Sequence, residues 1–94
     1  MRNLKSFSRA VRQELSRISV TIKQMEFKIM RFKGFLRRRL REEIQELRRM
    51  RDAIMHQLSE LTAEARLHLP TMQSIRDDIA LLQERCRQLK TQHL

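Results

Sequence analysis

The side chains in this sequence best suited to metal or nucleophilic chemistry are three histidines and one cysteine, and their spacing supports neither. His56, His68 and His93 are scattered along the chain. None stands with Cys86 or a carboxylate at metal-ligand spacing. His56 and Glu60 are four residues apart, the spacing of a surface pair on a helix. Gly34 is the only glycine, so no glycine-rich phosphate loop exists. Serine, histidine and acidic residues occur, but an extended helix encloses no pocket to exclude water from them. The expectation is a protein that is not an enzyme, with no catalytic, cofactor-binding or metal-binding residue. A single cysteine also excludes an internal disulfide. Cys86 falls on a core position of the repeat described below and reads as a small inert hydrophobe, though a parallel homodimer could cross-link through it.

The charged residues carry more information. Lys33, Arg37, Arg38, Arg39, Arg41, Arg48, Arg49 and Arg51 concentrate near mid-chain. On a helix Arg37, Arg41, Arg48 and Arg51 fall within about 80° of one another. Such a face suits bidentate contact with phosphate. Residues 1–49 hold fifteen Lys/Arg and five Asp/Glu, whereas residues 50–94 hold six of each. The net charge of +10 therefore belongs to the first half. Its partner should be acidic: nucleic acid, an anionic membrane surface or an acidic protein face. A basic segment ahead of heptads resembles the basic-zipper layout. The likeness fails in detail, because apolar heptads run through the basic half and Glu42, Glu43 and Glu46 interrupt the cluster. No aromatic lies between Arg37 and Arg51 to stack on single strands. The basic face to carry forward is Lys33, Arg37, Arg38, Arg41, Arg48 and Arg51, with an acidic protein ranked above nucleic acid.

The elements that must position these groups are helices. The chain is rich in charge (34%) and poor in aromatics (4%), with one Gly and one Pro. That is the composition of long helices and coiled coils, and it lacks the turn residues that sheets need. Leu4, Val11, Ile18, Met25 and Phe32 recur every seven residues, and Leu15, Ile22, Ile29 and Leu36 interleave with them. The alternating spacing of three and four makes one apolar stripe, long enough to argue for a coiled coil. Leu36, Leu40 and Ile44 then follow at intervals of four, a one-residue skip that locally unwinds a supercoil. Gly34 stands at this skip. Residues 33–36 read either as a kink or hinge or as a tolerated glycine in a continuous helix. Beyond it one heptad set runs Leu40, Leu47, Ile54, Leu61, His68, Ile75, Leu82, Leu89, and the other Ile44, Arg51, Leu58, Ala65, Met72, Ile79, Cys86. Arg51 and His68 are the polar exceptions; such a residue can fix register or oligomeric state, but the expectation for Arg51 is that it snorkels, its stem packed and its head in water.

Pro70 interrupts the second stretch, since it removes a backbone donor and disfavours helix at Leu69. Ser74, followed by Asp77 and Asp78, reads as a fresh N-cap. The expectation is a single all-α, elongated coiled-coil unit over residues 1–94. It comprises a basic helix 3–33, a helix 35–68 and a shorter helix 74–92 folded back as a hairpin. Residues 4–67, if straight, would span about 95 Å.

A lone helix cannot cover its own stripe, and the last helix reaches only the second half. The stripe from Leu4 to Leu36 therefore calls for partner helices, from copies of the chain or from another protein, unless the chain folds sharply at Gly34. The expected function is that of a helical adaptor or structural subunit of a larger assembly. Small dimeric nucleic-acid binding through the Arg cluster is the second expectation. A membrane-surface or mitochondrial helix is the third, because the first segment is basic and amphipathic. Residues 1–20 loosely resemble a mitochondrial transit segment, but the heptads begin at Leu4 and run on unbroken. No apolar stretch reaches the length of a membrane span. The expected compartment is intracellular, cytoplasm or nucleus, with the mitochondrion as the alternative.

Overall fold

The computed structural model describes residues 3–64 and 66–94. Three helices account for most of them: α1 Leu4–Ile29, α2 Gly34–Ala63 and α3 Leu69–His93. No strand occurs among the described residues. The all-helical class and the return of the last helix after residue 68 follow the sequence reading. The shape is elongated, as expected, but residues 4–67 do not run straight, because the chain also turns back between α1 and α2.

The cause is local and lies at residues 30–33. The last turn of α1 tightens, with the Phe32 amide donating to the Ile29 carbonyl at 3.0 Å. Lys33 is extended. Gly34 then takes φ +66°, a left-handed conformation that L side chains occupy at a cost of about 1–2 kcal/mol. The only residue without a Cβ thus sits where the backbone reverses. Of the two readings of Gly34, the hinge is the one the fold adopts.

The other boundaries also move. α2 stops at Ala63 rather than residue 68, and α3 starts at Leu69 rather than residue 74. Pro70 occupies the first turn of α3, where its missing N–H has no intrahelical partner to lose. It therefore opens the helix instead of breaking it. His68 is the N-cap, its Nδ1 accepting from the Thr71 amide at 3.3 Å. Ser74 is interior to α3. Asn3 caps α1 in the ordinary way, Oδ1 accepting from the Ser6 amide at 2.7 Å. Ala65, which the repeat placed on the stripe, lies outside the described residues.

Side-chain pairs fix the packing directions. Arg51 reaches Ser19 and Arg48 reaches Glu26, so α2 descends as α1 ascends. Gln57 meets Asp78 and Arg85 meets Met50, so α3 is antiparallel to α2. Arg76 lies over Phe7 and Gln83 bonds Glu14, so α3 runs parallel to α1. The result is an up-down-up bundle of 49 × 18 × 17 Å, about half the length of the expected rod.

One core runs along its axis. α1 contributes Phe7, Val11, Leu15, Ile18, Ile22, Met25 and Ile29, and α2 contributes Leu40, Ile44, Leu47, Ile54, Leu58 and Leu61. α3 adds Met72, Ile75, Ile79, Leu82, Cys86 and Leu89. Each buried Leu or Ile contributes about 1.5–3 kcal/mol relative to exposure. No polar or charged residue is buried among them.

Candidate interaction surface

The residues expected to meet partner helices are used up by this fold. Of that seam, Val11, Leu15, Ile18, Ile22, Met25, Ile29, Leu40, Ile44, Leu47, Ile54, Leu58, Leu61, Ile75, Ile79, Leu82 and Leu89 are all buried inside the chain. Leu4 and Phe32 are half-buried against the same core, and Leu36 is exposed. The inference that the stripe must find a companion is corrected here. Its premise was that α1 stays uncovered, and the reversal at Gly34 lets α2 and α3 cover it. Phe7, which lies off the seven-residue repeat, is also a core residue. It extends the 7, 11, 15, 18 spacing, which is helical but not strictly heptad.

The surface left over is uneven. Among the described residues the exposed large hydrophobics include Phe27, Met30, Phe35 and Leu36, all at or near the α1–α2 turn, and Val20 further back on α1. Phe27 is 73% exposed, Met30 61% and Phe35 72%. Leu67 and Leu69 are exposed at the opposite turn, and Leu81 stands alone on α3.

The same hairpin end carries the densest charge. Residues 23–41 include Lys23, Lys28, Arg31, Lys33, Arg37, Arg38, Arg39 and Arg41 and a single acid, Glu26. Arg48 occupies that acid in an ion pair across the helices. Among the described residues none of the eight cations makes an ion pair. Arg31 instead packs over the Phe32 ring, 5.1 Å from its centroid. Lys33 is the N-cap of α2 and supplies no side-chain cap hydrogen bond, and no acid stands in the first turn. Cations therefore crowd the positive end of a helix dipole, an arrangement that works against helix stability.

An open groove of about 450 Å³ lies between α1 and α2 at this end. Ile29, Ile44, Phe27 and Met30 give it apolar walls, and Lys23, Arg37, Arg41 and Arg48 line it with charge. The Nε of Arg37 is buried without a hydrogen-bond partner.

The predicted basic face thus divides. Lys33, Arg37, Arg38 and Arg41 share the hairpin end. Arg48 also lines the groove but is held by Glu26. Arg51 lies further down α2, bonded to Asp52 and, at 3.2 Å, to the Ser19 hydroxyl. That Ser19 hydroxyl donates in turn to the Leu15 carbonyl at 2.9 Å. The stem of Arg51 packs as the repeat implied, its side chain 25% exposed, but its head is held by Ser19 and Asp52 instead of standing free in water. Sequence reasoning centred the site too far along the chain. It overlooked Lys23, Lys28 and Arg31, which α1 supplies from across the turn. The signal available was the run of basic and apolar residues flanking Gly34.

The histidines and the cysteine lie apart. His56 pairs with Glu60 at 2.6 Å on an exposed face, and His68 serves as a helix cap. Cys86 is buried, and that burial pushes its thiol pKa up, with nearby Lys90 opposing the shift. No three His, Cys, Asp or Glu side chains gather among the described residues as a metal site would require. No described helix is long and apolar enough to cross a membrane. The chain matches no family model, no curated protein and no solved structure.

Proposed function

We propose that this chain is a non-enzymatic interaction module, a three-helix bundle that docks its basic hairpin end on an acidic partner within a larger assembly. The observation that carries this reading is the cluster of eight cations, with one neutralised acid among them, around the α1–α2 turn. Folding does not call for that arrangement. Cations at a helix N-terminus cost about 0.3–1 kcal/mol each relative to favourable placement. An anionic partner reverses the sign of that term.

The apolar stripe plays a different part from the one first expected. It builds the module, and the partner is met by what folding leaves outside. Duplex nucleic acid is the less favoured partner. The four-arginine face suited to phosphate has two of its members, Arg48 and Arg51, engaged inside the protein.

The test is calorimetric titration with two soluble polyanions, polyglutamate and heparin, at a series of salt concentrations. Binding is expected to weaken steeply with salt. The double variant Arg38→Gln/Arg39→Gln should weaken it further, whereas Arg66→Gln/Arg76→Gln, far from the hairpin end, should not. Equal loss in both variants, or no binding by the unaltered protein, would overturn the proposal.

A further inference from the structure

We infer that the partner of the hairpin end is the surface of an anionic phospholipid bilayer, an inference that rests on the reading of this end as the docking surface. Charge alone would suit any polyanion. The discriminating feature is what stands among the charges. Phe27, Met30 and Phe35 are each more than half exposed and lie outside the core. They come from the end of α1, the turn and the start of α2, so all three stand at the hairpin end.

A phosphate backbone or a uniformly acidic polypeptide offers nothing apolar to three such side chains. A bilayer interface offers both chemistries within a few ångströms of depth: anionic headgroups for Lys and Arg, and acyl chains for Phe and Met. An acidic amphipathic helix lying in the α1–α2 groove is the nearest competitor. Phe27 and Met30 line that groove, but Phe35 does not. A helix seated there leaves Phe35 in water, whereas a flat surface meeting the tip covers all three. Glu26, the acid among these residues, is held by Arg48 and does not oppose the approach, and Glu42 and Glu43 lie further along α2, behind the tip.

Each basic residue near an anionic surface strengthens association about fivefold, and buried apolar area adds to this. Two variants separate the contributions. Phe35→Glu puts an acid in the first turn of α2, where the dipole favours it, so loss of binding through unfolding is not expected. Phe27→Ser removes an exposed ring that is not part of the core.

The experiment is flotation of the full chain with vesicles of phosphatidylcholine alone and of an equal mixture of phosphatidylcholine and phosphatidylserine, with circular dichroism to verify folding. Binding is expected to the mixed vesicles only. Phe35→Glu should lower the partition coefficient at least tenfold and Phe27→Ser several-fold. Both variants should keep more of their binding to heparin than to vesicles. If the protein binds heparin or polyglutamate through Arg38 and Arg39 but not mixed vesicles, the lipid inference fails while the acidic-partner reading stands. If mixed vesicles bind but the Phe variants bind them equally well, the surface is electrostatic only and the inference is again overturned. If nothing anionic binds, both readings fall.

Discussion

Replacing Gly34 by alanine separates a hairpin from a rod by the sign of its effect. Gly34 has φ +66°, and a Cβ added there meets nothing within 4 Å. No neighbour is displaced, so the penalty comes from the backbone alone, about 1–2 kcal/mol for an L residue in the left-handed region. In a continuous helix the same change would stabilise by about 1 kcal/mol. For a domain of this size 1 kcal/mol corresponds to roughly 4–8 °C in melting temperature. Gly34→Ala is therefore expected to melt about 4–16 °C lower, where an unbroken helix would melt higher. The assay is thermal and urea unfolding followed by circular dichroism, with D-alanine introduced at the same position by chemical synthesis. D-alanine accepts this φ without strain and restricts the unfolded chain, so it should match or exceed glycine in stability. A stability gain with L-alanine, or equal losses with both enantiomers, would refute the reasoning.

Other substitutions probe the rest of the molecule. Leu58 is fully buried in the core, so Leu58→Ala should cost about 2–5 kcal/mol by urea unfolding. Phe35→Glu adds an acid to a helix start that has none, with Arg38 and Arg39 one turn ahead. It should stabilise the fold by about 0.3–1 kcal/mol through the dipole while weakening any anionic docking, and a lower melting temperature would contradict the account of that charge placement. Cys86 should react with a thiol reagent far more slowly in the native protein than in urea, because burial shields it and raises its pKa. The raised pKa also sets a sign: its contribution to stability is intact below the ordinary thiol range and declines as pH rises through it. Cys86→Ala should lose that alkaline component.

Much of the core was legible because burial and helical spacing say the same thing: Ile18, Ile22, Met25 and Ile29 announce themselves by threes and fours. What the periodicity could not supply was the partner of the stripe. Period alone states that a face must be covered and is silent on whether the cover comes from the same chain. The answer lay in Gly34, whose two readings differ only in the sign of φ, and sign is not written in composition. Pro70 misled for a related reason. The residue that ends a helix from inside also opens one from its first turn, and a histidine cap such as His68 is less recognisable than the Ser74 further on. The basic surface was read as one helix face, so Arg48 and Arg51 were grouped with Arg37. Only the fold shows them drawn away to Glu26 and Ser19, and Lys23, Lys28 and Arg31 brought in from α1.

Small-angle X-ray scattering on a monodisperse solution bears most directly on the claim that the apolar faces are spent within one chain. The expected result is a scattering mass of one 11.5 kDa chain and a radius of gyration near the 15.2 Å of the Cα bundle, with a modest increase from side chains and hydration. A mass of two or more chains would contradict it, as would a radius of gyration above about 25 Å, the scale of a straight helix over residues 4–67. Either would return Leu15 and Ile29 to the service of a partner.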